Sequence, residues 1–300
     1  MRTFLVFLAF AVLTAACSDG VPAVEAAPTS TSSTTVTADS ATSSTTIAEE
    51  LVKSPPTTTF ATTTTLSPYA RPDWLGTRIL DERPDGFGLV VPTPDELINR
   101  TFATPPLLPP PVSGGFEATI RPIPDDVLAR SSWKEGCPVG AEGLSYLTLV
   151  HHGFDGELHT GEMIVNARVA EDIVAVFEQL FVAGFPIEEM RVTRADEIDA
   201  PPTGDGNVTG SFACRDAVNT GRWSQHAYGL AIDINPFHNP YIKGDLVIPE
   251  LASYYVDRDL ALPGMVETSV VVDAFAAIGW SWGGNWSSLK DWMHFSESGN

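Results

Sequence analysis

Basic side chains are scarce in this 300-residue chain: 17 Lys and Arg stand against 38 Asp and Glu, a formal net charge of −21. A nucleic-acid binder needs a basic face to displace phosphate counterions, so that class is excluded. Adsorption to anionic lipid through surface charge is excluded on the same ground. Cysteine is scarce too. Three residues cannot build a disulfide scaffold, and no four-cysteine zinc cluster is possible. The N-terminal apolar run, Phe4 to Ala16 with Thr14 as its one polar member, is shorter than the ~20 residues of a membrane-spanning helix.

That run, preceded by Arg2, has the form of a signal-peptide h-region, and residues 1–16 are expected to be removed. Leu13-Thr14-Ala15-Ala16-Cys17 resembles a bacterial lipoprotein cleavage site, departing from the pattern at Thr14, where an aliphatic residue is usual. The resemblance implies a lipid on Cys17 and a membrane anchor. The alternative is ordinary cleavage after Ala16, with Cys17 free. Either way the protein is expected to be exported, at the outer face of the bacterial membrane or secreted. Cys137 and Cys214 would then lie in an oxidising compartment, where a disulfide between them is expected and two unpaired buried thiols are the alternative.

From Thr29 to Pro68, 23 of 40 residues are Ser or Thr. So few large apolar groups cannot offset the entropy of ordering, and residues 17–70 are expected to be a disordered tether. Residues 71–115 form a Pro-rich lead-in, with Pro105-Pro106 and Pro109 to Pro111, whose order the sequence leaves open. From 116 to 300 the texture is that of one α+β domain, of a comfortable single-core size. Met163–Asn166 reads as a strand. Ala170–Ala183 reads as a helix, with Ile173, Val176, Phe177 and Leu180 on one face and Gly184 as its stop. Arg191–Arg194 is a further strand candidate. In Leu230–Asn235, apolar and polar residues alternate as in a half-buried strand. Ser269 is expected to cap a helix over 270–277 ended by Gly279, and closing strands are expected at 280–282 and 293–295.

Two of the six histidines sit in informative places. In Ser224-Gln225-His226-Ala227-Tyr228-Gly229-Leu230-Ala231-Ile232-Asp233, the alternation turns Asp233 away from the apolar face. Gly229 permits the tight passage that returns His226 beside it. In Lys290-Asp291-Trp292-Met293-His294-Phe295, His294 likewise alternates with apolar neighbours. Two imidazoles and a carboxylate suit a catalytic zinc site with its fourth position open to water, and Asp291 is placed to take that water's proton. Each half alone reads equally as a hydrogen-bonded structural histidine.

Ser-x-His-x6-Asp followed much later by Asp-x-x-His resembles the VanY-type D-alanyl-D-alanine carboxypeptidase family, zinc peptidases of the hedgehog/DD-peptidase fold. Similar context is found in Trp133-Lys134-Glu135-Gly136-Cys137-Pro138-Val139, Phe185-Pro186-Ile187, Ser211-Phe212-Ala213-Cys214-Arg215, Gly221-Arg222-Trp223-Ser224, Ile232-Asp233-Ile234-Asn235-Pro236 and Gly279-Trp280. The resemblance spans about Trp133 to Phe295 and excludes the tether. It implies a small antiparallel sheet flanked by helices, Zn2+ held by His226, Asp233 and His294, and Asp291 as general base. Asp stands where the family often has Glu, which leaves open the peptide bond cleaved. A substrate- or oxyanion-holding arginine is implied at Arg215, with Arg222 as runner-up. Ser224 is assigned to the substrate-binding neighbourhood, through groups that orient His226. The implied substrate is a peptidoglycan stem peptide, cut by a carboxypeptidase or an endopeptidase. The alternative is a non-catalytic wall-binding lipoprotein that keeps the fold and the zinc.

His151, His152 and His159 are irregularly spaced and read as surface or hydrogen-bonded groups rather than a second metal site. His238 reads as a loop histidine, with a place in the lining of the cleft as the alternative. Trp223, Tyr228, Trp286 and Trp292 read mainly as packing.

Overall fold

A computed structural model describes residues 67–217, 220–266 and 268–299. They lie in one unit, 62–300; the other, 1–61, falls outside the described residues, as do the expected signal segment, Cys17 and nearly all of the tether. Among the described residues no helix is long and apolar enough to cross a membrane.

The class is α+β. Strands β1 (Ala118–Arg121), β2 (Leu144–His152) and β3 (Leu158–Asn166) form one antiparallel sheet, with helix α1 (Asp125–Arg130) between the first two strands in sequence. Helix α2 (Ala170–Val182) follows, then a short parallel pair, β4 (Glu189–Met190) and β5 (Val208–Thr209). Next come β6 (Ala231–Asp233), β7 (Tyr241–Lys243), β8 (Leu246–Ile248), helix α3 (Asp273–Ala277), β9 (Ser281–Trp282), β10 (Lys290–Asp291) and β11 (His294–Ser296). These strands pair in the orders β10-β7-β8 and β6-β11-β9, both antiparallel.

Helix α2 realises the expected period. Ile173, Val176, Phe177 and Leu180 are all buried, packed with Leu147, Leu149, Met163 and Val165 of the long hairpin and with Ile232 and Phe295 of the site sheet. It stops as its sequence dictates. Gly184 adopts φ +68°, its N–H reaches the Phe181 carbonyl at 2.9 Å, and Phe185 N–H reaches Leu180 at 3.0 Å.

The helix expected from 270 begins differently: Thr268–Val272 is a π-helical turn that runs into α3, so Ser269 lies inside helical backbone and is not a cap. Arg191–Arg194 is extended chain with a single bridge, Arg194 to Ser131; the strand there is Glu189–Met190. The histidines 151, 152 and 159 close the β2–β3 hairpin. His151 is buried, and His159 is paired to Asp155 at 3.0 Å.

The lead-in is part of the packed unit. Leu97 and Phe102 sit in a second core with Phe237, Val247, Leu251, Tyr255 and Met265. Arg100, 2 % exposed, makes a two-pronged ion pair with the fully buried Glu188, 2.7 Å on each arm, and donates to the Asp205 carbonyl at 2.7 Å. Burial opposes ionisation of Glu188, but Arg100 and Arg71 hold its carboxyl below the usual range. The boundary expected at residue 116 therefore falls inside the folded unit, because Arg100 neutralises a charge that water cannot reach. Cys137 and Cys214 form the expected disulfide, with Cα atoms 5.9 Å apart, beside a third core of Val127, Tyr146, Ile164 and Phe212.

Candidate metal centre

Antiparallel pairing builds the centre. In the β6–β11 register, Asp233 stands directly opposite His294 and Ile232 opposite Phe295. Directly opposed side chains share a face of the sheet. The apolar pair therefore enters the main core, and the polar pair meets on the other side: His294 Nδ1 lies 3.1 Å from Asp233 Oδ1. His226 arrives from a 3-10 turn, Gln225–Tyr228. Ser224 caps this turn by accepting the His226 backbone N–H at 3.3 Å. Gly229 ends it at φ +65°, where a Cβ would lie 2.5 Å from Asn166 N. Only glycine satisfies both the left-handed backbone and that approach. His226 Nε2 then lies 3.3 Å from Asp233 Oδ2 and 3.3 Å from His294 Nδ1.

One hydrogen bond sets what the cluster can hold. His226 Nδ1 donates to the Ser211 carbonyl at 2.6 Å, which leaves the neutral ring's Nε2 lone pair facing a carboxylate and a second imidazole. The donor atoms of His226, Asp233 and His294 all lie within 4.8 Å of one another. Donor atoms this close can share a proton or a cation between them, and ligand bonds of about 2.0–2.2 Å are compatible with such spacings. The residues thus fit a metal ion. Burial alone would raise the Asp233 carboxyl, but the two imidazoles beside it hold it far below the usual range.

Asp291 is the second carboxylate. It pairs across β10–β7 with Tyr241, and its backbone and Cβ lie so close to Gly283 that a side chain there would meet its carbonyl at 2.6 Å. Asp291 Oδ1 is buried without a hydrogen-bond partner among the described residues. Burial first, and the Asp233 charge second, push its pKa up to about 7, against the pull of His294 and Arg215.

A cleft of about 840 Å³ opens onto the cluster. Arg215 lines it together with His226 and Asp233, and its guanidinium hydrogen-bonds the Asp216 carbonyl at 3.2 Å. Arg222 is exposed and lines a separate depression with Trp223 and Tyr228. Ser224 is buried and turned to the turn's backbone, so its contact with the site runs through His226. His238 is fully buried, bonded to Asn207 and the Arg100 carbonyl and stacked on Phe154, and it does not line the cleft.

Sequence reasoning missed two supports. Gly210 exchanges backbone hydrogen bonds with Asp233 at 3.1 and 2.9 Å, and the next residue, Ser211, orients His226. One short segment thus steadies two of the three donors. Only its position four residues ahead of Arg215 hinted at it.

Two imidazoles and a carboxylate make a donor set that could hold a metal ion, and the Asp291 carboxyl lies near it. Residues 218–297 match the family model described as D-alanyl-D-alanine carboxypeptidase, so the resemblance read from the motifs holds over the segment bearing all three donors and Asp291. No curated protein matches the chain, and no solved structure does.

Proposed function

We propose that this protein is a zinc-dependent peptidase acting on peptidoglycan stem peptides outside the cell. The observation that carries the reading is the convergence, inside the matched segment, of the His226–Asp233–His294 cluster with Asp291, whose Oδ1 is buried without a hydrogen-bond partner among the described residues. Zinc, when bound by the three residues, supplies a Lewis acid that polarises the scissile carbonyl and acidifies water. Asp291 takes the proton from the attacking water and returns it to the leaving amine. Its raised affinity for a proton suits both halves of that cycle. Arg215, which among the described residues forms no ion pair with a carboxylate, holds the substrate's carboxylate or the developing oxyanion. The Ser211 carbonyl keeps His226 in the tautomer that presents Nε2.

Export through the N-terminal segment, with a lipid on Cys17, would place this chemistry at the wall. The test incubates the zinc-loaded chain with defined stem peptides, with and without chelator, and reads the products by mass spectrometry. Loss of a terminal D-alanine, or cleavage at an internal bond, that stops with chelator is the expected result. Binding of peptide without turnover would instead assign a wall-binding role.

A further inference from the structure

Two stretches of chain, 207–211 and 233–237, are laced together beside the metal cluster. At Asp233 the link is backbone to backbone, through the two bonds exchanged with Gly210. Farther along, side-chain oxygens take over as acceptors. Asn235 donates its N–H to Thr209 Oγ1 at 3.0 Å, and Phe237 donates its N–H to Asn207 Oδ1 at 2.9 Å. All four of these residues are buried.

Asn235 explains why a side chain is needed there. Its φ is +41°, left-handed backbone that only a few per cent of non-glycine residues adopt, and β6 ends two residues before it. Its N–H is nevertheless buried and requires an acceptor, which Thr209 Oγ1 supplies. The Asn235 side chain is engaged elsewhere. Oδ1 accepts the Glu188 N–H at 3.3 Å, and Nδ2 donates to the Pro186 and Gly264 carbonyls at 2.8 and 3.2 Å.

Thr209 therefore stands at a junction. Gly210, the next residue, holds Asp233, and Ser211 after it holds His226 through Nδ1. Thr209 itself lies outside the matched residues 218–297.

Resting on the zinc reading of the cluster but not on the peptide substrate, we propose that Thr209 is a positioning residue of the metal centre. Its hydroxyl fixes 207–211 against 233–237 and so sets the placing of Asp233 and His226 relative to each other. Outer partners of metal ligands are worth about 10–100-fold in metal affinity.

The experiment uses the full chain with Thr209→Val, which keeps the branched shape and loses the hydroxyl, and Thr209→Ser, which keeps the hydroxyl. Zinc affinity is read by competition with a chelator of known affinity. The His226 tautomer of the metal-free chain is read from imidazole 15N shifts at alkaline pH. Thr209→Val is expected to bind zinc at least about tenfold more weakly and to mix its His226 tautomers, while Thr209→Ser retains both parental properties. A contribution to folding alone would move neither reading in a folded chain. Parental zinc affinity and tautomer in Thr209→Val would overturn the proposal, as would equal losses in Thr209→Ser. A parent chain that binds no zinc, with the tautomer still disturbed in Thr209→Val alone, would count against the zinc reading and leave the positioning role standing.

Discussion

His294 faces Asp233 across an antiparallel strand pair, Nδ1 to Oδ1 3.1 Å, while the next pair along, Phe295 and Ile232, is sealed in the main core. A one-residue slip of this register would turn Asp233 and His294 into the core and expose the apolar pair, so core packing itself enforces the geometry of the cluster.

The cluster and the base separate by substitution. His226→Ala and His294→Ala are expected to abolish stoichiometric zinc binding, read by metal analysis after gel filtration. Asp291→Asn is expected to keep the metal and lower kcat by about 10²–10⁴. Turnover undiminished in Asp291→Asn would sink the assigned base.

Arg215 and Arg222 differ in where they point. Arg215→Ala is expected to lower kcat/KM by about 10², the scale of one lost oxyanion or carboxylate donor. Arg222→Ala, in its separate depression, is expected to stay within about twofold of the parent, since exposed substitutions of this sort move energies by only a few tenths of a kcal/mol. Equal losses in both would contradict the assignment to Arg215.

The lead-in carries a testable folding debt. Arg100→Ala would leave Glu188 buried without its main partner and is expected to destabilise by about 3–5 kcal/mol, read by urea unfolding. A chain cut at residue 116 also loses Leu97 and Phe102 from the second core, and it is expected to be less stable still than a chain begun at residue 67. Equal midpoints for the two chains would show that the lead-in adds nothing.

Acid sensitivity follows from groups buried in their neutral form. Burial lowers His151 to about 4, against the weaker opposing pull of the His152 carbonyl, and lowers His238 to about 4, where Glu188 opposes and Arg100 and Arg258 assist. Their ordinary value is 6.5, so between roughly pH 6.5 and 4 the unfolded chain binds protons that the folded chain refuses. Stability therefore falls as pH falls through that window. Asp291, raised to about 7 from 3.8, works the other way, because the folded metal-free chain takes up its proton first. Two histidines against one carboxyl give a net loss. In the metal-free protein, Tm is expected to drop from pH 6.5 to 4.5, more steeply in Asp291→Asn and less steeply in His151→Gln. A His151→Gln slope equal to the parent's would remove His151 from this account.

Much of the site was legible before any coordinates. The alternation around Ile232 and Ile234 placed Asp233 on the polar face, and Gly229 marked the turn that carries His226, because strand period and left-handed backbone are local properties. Helix α2 and its Gly184 stop were equally local. The start of α3 was misplaced because the π turn at Thr268–Val272 is helical without the capping pattern that announces a start.

What the sequence carried by itself was therefore the α+β class, the polar face on which Asp233 lies and the expectation of a disulfide, since period and count are local, while the donor set is what the family resemblance implies. Only tertiary structure decided that Ser211 fixes the tautomer of His226, that Arg215 and not Arg222 shares the cleft, and that Arg100 draws residues 67–115 into the fold. Each of these joins segments distant in the chain, and such contacts are chosen by burial and charge neutralisation in the packed state, which no local pattern encodes.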